Sequence, residues 1–157
     1  MEQPKTSKCA AQALRWLRKM GIEASPVNDG SGDYEFCYND TPMLISTTTP
    51  EGSLIITALV YLLGDSRFDN SLIHEYALRE VEGEMEEFMV GFGGWDHSYV
   101  SKLFIIPPQR GKLRRYQIKK MLDEVNAGYD KFLFATMMYS ISVRDLDLDV
   151  EQLSKDM

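Results

Sequence analysis

The sequence predicts one α+β domain in which helices pack on a mainly antiparallel sheet, and three observations carry that expectation. The hydrophobic period changes along the chain in the order α-β-β-β-α-β-β-α. The links between the first three strand-like runs are too short for the crossover that a parallel pair needs. The length, 157 residues, suits a single core. The domain is expected over residues 1–143, with 144–157 as an acidic C-terminal tail.

The first helix occupies 7–20. Thr6 or Ser7 can cap it, and Gly21 stands where a left-handed residue closes a helix, followed by Ile22 for the accompanying apolar contact. Ala10, Ala13, Leu14, Trp16, Leu17 and Met20 share one arc, with Lys8, Arg15, Arg18 and Lys19 opposite. Residues 23–33 read as a turn-rich loop. Tyr34, Phe36 and Tyr38 then alternate with Glu35 and Cys37 as a half-buried strand. Asn39-Asp40-Thr41-Pro42 turns the chain into a strand at 43–49, and Pro50-Glu51-Gly52 turns it into a third at 53–63.

That third strand is apolar on both sides. Leu54, Ile56, Ala58, Val60 and Leu62 share one face, and Ile55, Leu59, Tyr61 and Leu63 dominate the other. A sheet covered on one side only shows polar residues on its second face. Both faces therefore want cover, either from helices or from a second subunit, and Ile55, Leu59 and Tyr61 are the expected contact residues.

A second helix is expected at 71–83, carrying Leu72, Ile73, Tyr76, Ala77 and Val81. Phe88, Val90 and Phe92 alternate as a fourth strand. A loop over 93–98 leads to a fifth strand at 99–106, ended by Pro107-Pro108. The last helical region spans 110–139, with Ile118, Met121, Leu122 and Val125 on one arc and a break expected at Asn126-Ala127-Gly128. After Arg144 acidic and apolar residues alternate, which favours a tail over an edge strand.

Composition is that of a globular chain, with 44% hydrophobic and 26% charged residues. The longest apolar run, Leu54–Leu63, is half of the roughly 20 residues that a membrane-spanning helix needs. The first residues, MEQPKTSKC, hold no apolar stretch for a signal peptide. Two cysteines, Cys9 and Cys37, fit a reducing compartment and read as small buried hydrophobes. The expected location is the cytoplasm. A net charge of −7 argues against nucleic acid, which requires phosphate neutralisation.

Catalytic motifs are absent. Gly91-Phe92-Gly93-Gly94 lacks the lysine and the helix start of a nucleotide fingerprint and reads as a turn. His74 and His97 have no second ligand at helical spacing, so neither a metal nor a cofactor site is expected. No serine sits in a Gly-x-Ser-x-Gly elbow. An alternative reading places a small enzyme site near His97, Asp96 and Glu86. Another uses the basic segment 110–120, where Lys112, Arg115 and Lys119 form a helical stripe able to bind nucleic acid or an anionic surface, or to meet the acidic 75–87 stretch within the molecule or across a dimer.

The element order, together with ALRWLRKMGIEA, YEFCYND, MLIST, HEYALREVEGEMEEFMVGF and GYDKFLF, resembles the type III secretion chaperone-like fold. Within it the chain looks most like the YbjN-type family of sensory transduction regulators. The resemblance covers roughly residues 7–139 and carries no fixed catalytic residues. It implies a non-enzymatic, protein-binding chaperone-like or regulatory protein, commonly a homodimer.

Overall fold

The computed structural model describes residues 6–61, 79, 87–92, 97–106 and 112–155, with backbone alone at 92, 97 and 139–155. Their order is α1 (Lys8–Lys19), β1 (Ser25–Pro26), β2 (Asp33–Tyr38), β3 (Thr41–Ser46), β4 (Ser53–Tyr61), β5 (Met89–Phe92), β6 (His97–Ile105) and α2 (Arg115–Lys155). The strands form one six-stranded antiparallel sheet in the order β1-β2-β3-β4-β6-β5. This is the α+β class that the period order predicts. Of the helix expected at 71–83 only Arg79 is described, and it is helical; the rest lies outside the described residues.

Both ends of α1 follow their sequence signals. The Ser7 side chain accepts the Ala10 N–H at 3.1 Å. Gly21 adopts a φ of 80°, its N–H reaches Arg18 O at 3.1 Å, and the Ile22 N–H reaches Leu17 O at 2.9 Å. Those two bonds are the paired closure that a left-handed residue after a helix makes available.

Several expectations are corrected. The loop 23–33 contributes a short edge strand, Ser25–Pro26, paired with Tyr34 and Glu35. The β3 strand starts at Thr41, before the expected 43, because Asn39 (φ 49°) and Asp40 (φ 62°) make a two-residue hairpin turn by themselves. Pro42 is accommodated because the ladder from β3 to β4 begins only at Met43. The final helix begins at Arg115, five residues after the expected start. There the Gln117 side chain accepts the Arg114 N–H at 2.8 Å and satisfies one orphan donor of the first turn.

The fourth correction is the break at 126–128, which does not occur: α2 runs unbroken through it and on to Lys155. Gly128 is there for packing. A Cβ at this position would stand 2.8 Å from the tip of the Phe88 ring, so the helix keeps a glycine where an aromatic ring crosses it. Residues 144–155, expected as an acidic tail, continue the same helix.

The core lies on one side of the sheet. Ala10, Ala13 and Leu17 of α1 and Ile118, Leu122 and Val125 of α2 pack on Phe36, Met43, Ile45, Leu54, Ile56, Ala58 and Phe104. A smaller cluster joins Val60, Val100 and Phe132. The segment before α2 is tied to α1 through Leu113, whose O accepts from Trp16 Nε1 at 2.7 Å and whose N–H donates to Gln12 Oε1 at 2.8 Å.

Candidate functional site

Strand alternation sends every second residue of β4 and β6 to the side away from the helices. By register, Ser53 stands opposite Ile105, Ile55 opposite Leu103, Thr57 opposite Ser101, Leu59 opposite Tyr99, and Tyr61 opposite His97. Met89 and Gly91 of β5 extend this face, opposite Ser101 and Tyr99. Ile55, Leu59, Leu103 and Ile105 belong to neither core cluster. Fractional exposure reaches 48% at Tyr61, 49% at Leu103, 54% at Met89 and 71% at Ile105. Among the described residues this face leaves Tyr61, Met89, Leu103 and Ile105 exposed, Ile55 and Leu59 half-buried, and Ser53 and Ser101 buried.

Its polar interior is satisfied from within. The Thr57 and Ser101 hydroxyls pair across the ladder at 2.7 Å. The Tyr99 side chain lies against Gly91, where a Cβ would stand 2.6 Å from the hydroxyl oxygen. Cys37, expected as a small buried residue, is exposed, and its position opposite Pro42 puts it on this open side. Cys9 is half-buried, close to expectation.

At the Ser53–Ile105 end the face opens into a groove of about 940 Å³. Ile55, Leu103 and Ile105 line one side, and Lys8, Gln12 and Lys112 the other. Glu51, also at its rim, is engaged as a cap. Its carboxylate accepts the Lys8 N–H at 2.9 and 3.2 Å, where the helix dipole favours a negative charge.

The basic stripe is only partly assembled. Lys112 precedes the helix and faces the groove, whereas Arg115 and Lys119 lie on the first turns of α2. All three are exposed, and Lys119 Nζ stands 3.7 Å from Asp123 Oδ2. Of the alternative catalytic group, His97 opens β6, while Asp96 and Glu86 lie outside the described residues. Among the described residues no three His, Cys, Asp or Glu side chains cluster to hold a metal. No helix of these residues is long and apolar enough to cross a membrane.

One charged group escaped sequence reasoning. Lys102 sits on the helix-covered side of β6, opposite Ile56, with its side chain 16% exposed. Its Nζ is 3.0 Å from Glu87 and 2.9 Å from Glu124, and 5.4 Å from the Phe88 and 5.5 Å from the Phe104 ring centres. Burial works against the ammonium, but the two carboxylates outweigh it and raise the pKa above the ordinary lysine value. The alternation Ser98, Val100, Lys102, Phe104 was the available signal, since it places the lysine with inward residues. Every partner of Lys102 is structural, so the group ties β5 and β6 to α2.

No family model matches the chain, and no curated protein matches it. The fold is similar to the crystal structure of YbjN, a candidate transcription regulator from E. coli. The TM-score is 0.53 with 10% sequence identity, over 80% of this chain and 89% of that one. At that identity the likeness defines the class by its fold: an α+β domain of YbjN-like architecture.

Proposed function

We propose that this chain is a non-enzymatic protein-binding module, chaperone-like or regulatory, that works as a cytoplasmic homodimer and uses the open face of its sheet as the contact surface. The single observation that carries the reading is the apolar row Ile55, Tyr61, Met89, Leu103 and Ile105, placed on the side of the sheet opposite both α1 and α2. Leaving such a row in water costs about 25 cal/mol for each Å² that association would bury. Exposed apolar groups on one face with a charged rim favour an interaction site, here centred on Ile55, Leu103 and Ile105 beside Lys8 and Lys112. The YbjN-like fold supports the reading, because its solved example is described as a candidate regulator.

Light scattering and affinity capture from the native host test it, with Ile105→Asp as the control. Ile105 is 71% exposed, so an aspartate there leaves the core intact. Self-association and capture of a host protein that both disappear in this variant support the reading. A monomeric wild type whose captured proteins are the same as those of the variant removes it.

A further inference from the structure

We infer that α1 and the segment before α2 form, with the groove at the end of the sheet, a binding site for a small amphipathic anion: a single apolar chain that ends in a phosphate monoester. The site shares Ile55, Leu103 and Ile105 with the proposed contact face. It goes beyond that reading, because its cationic end is built from α1 and the residues before α2.

Charge segregation is the first ground. Residues 6–22 and 112–122 hold nine basic residues and no acidic one, in a chain with 17 bases and 24 acids overall. The two stretches are distant in sequence, and the Leu113 backbone joins them through its bonds to Trp16 and Gln12. At the junction Arg15, Lys19 and Lys112 converge, with Trp16 and Gln12, on a cavity of about 200 Å³ whose lining holds no carboxylate. Lys19 Nζ is steadied 4.9 Å from the Trp16 ring centre. Among the described residues no carboxylate pairs with Arg15, Lys19 or Lys112. Three like charges gathered on one cavity repel one another, and an anion between them turns that repulsion into attraction.

The hydrogen-bonding groups agree in sign. Trp16 Nε1 is spent on Leu113 O, and Gln12 Oε1 is spent on the Leu113 N–H. Gln12 therefore has only its amide N–H groups left to offer, so the side chains around this cavity present donors. A carboxylate head carries one negative charge, whereas a phosphate monoester carries about −1.5 to −2 at pH 7 and three acceptor oxygens. The monoester is the better match to three cations, and Arg15 can take two of its oxygens in one fork.

Continuity fixes the rest of the ligand. Gln12, Lys112 and Leu113 line both this cavity and the groove of about 940 Å³, so the two make one depression with a cationic end and an apolar end. An alkyl chain laid over Ile55, Leu103 and Ile105 removes apolar surface from water on both partners. Glu51, the one acid among the groove's lining residues, is already spent on the Lys8 N–H. The volume lies within the roughly 300–1,000 Å³ of small-molecule sites. A bilayer takes up apolar side chains that protrude into it, whereas these walls face one another across a groove. Cys9 is half-buried and also lines the groove, so it reports on occupancy.

The test uses the full-length chain as Cys37→Ser, in which Cys9 is the one thiol left, with dodecyl phosphate below its micelle concentration as the probe. At about ten times the Kd found by calorimetry, alkylation of Cys9 by iodoacetamide should slow roughly tenfold. Arg15→Gln/Lys112→Gln should weaken binding at least about tenfold, as should exchanging the probe for dodecanol or for inorganic phosphate. Both cations are exposed, so this variant keeps its fold, which circular dichroism checks, and light scattering should give it the wild-type mass. A wild-type monomer that still binds the probe removes the proposed homodimer and leaves this site standing. Protection of Cys9 that persists in the double variant, or dodecanol that binds as tightly as dodecyl phosphate, overturns the cationic end. Inorganic phosphate that binds as tightly overturns the apolar end. An unprotected Cys9, or binding to phosphatidylglycerol vesicles without binding to the free probe, overturns the site altogether.

Discussion

The Phe88 ring lies directly against Gly128 of α2, so close that a Cβ on the glycine would fall 2.8 Å from its Cζ atom. An alanine in mid-helix is ordinarily worth about 1 kcal/mol over glycine, whereas overfilling a packed site costs about 1–3 kcal/mol. Gly128→Ala should therefore destabilise the protein by up to about 2 kcal/mol in urea unfolding. Adding Phe88→Leu should recover part of that loss. A stabilised Gly128→Ala protein would show that the ring yields freely.

Trp16 and Gln12 fasten the segment before α2 to α1 through the backbone of Leu113. Trp16→Phe keeps the ring but strands a half-buried carbonyl, which costs about 1–2 kcal/mol. Thermal unfolding should register the loss, and the accompanying change should be faster amide exchange at the first turn of α2.

Lys102 is predicted to behave differently with its two replacements. Lys102→Ala leaves Glu124 without its partner and should cost about 1–2 kcal/mol. Lys102→Met loses the same ion pairs but keeps the stem between Phe88 and Phe104, so it should cost less than Lys102→Ala, and Lys102→Met/Glu124→Leu should recover further. The folded-state pKa is raised, so the stabilisation is full below the ordinary lysine value and is lost as pH climbs through the folded one. Alkaline unfolding of Lys102→Met should accordingly begin at higher pH than that of wild type.

Tyr38 titrates late. Burial, and then the hydrogen bond and negative charge of Asp123, push its phenol up to about 12. Its contribution to stability is complete below the ordinary value of 10.0 and falls away between there and about 12. Ultraviolet titration should show Tyr38 in a late phase, after the unhindered tyrosines, and Asp123→Asn should bring it back toward 10.0. An unchanged late phase in Asp123→Asn would assign the shift to burial alone.

Much of this architecture was legible because local signals and tertiary packing agree. Ser7 and Gly21 bound α1 as their chemistry dictates, and the alternation in β4 foretold a second apolar face that the described helices leave open. The misreadings arose where a residue type has two uses. Gly128 looks like a helix breaker until the Phe88 ring beside it is known, and that contact joins residues 40 positions apart. Lys112 lies at helical spacing from Arg115, yet the helix starts only after Gln117 has capped Arg114. The acidic alternation after Arg144 matches neither a buried helix nor a buried strand, so its helical backbone could not be read from polarity alone.

The uninterrupted course of α2 gives the molecule a lever. Thr41 Oγ1 meets Asn126 Oδ1 at 2.6 Å, and Phe88 crosses one turn further on at Gly128, so the fulcrum lies near 126–128. From there to Lys155 is about 40 Å of helix at 1.5 Å per residue. A tilt of only about 10° at the fulcrum would swing the tip by roughly 7 Å, on that same rise. Repacking around Phe88, Lys102 and Glu124 that tilted the helix would in this way be magnified into a displacement several times larger at Lys155.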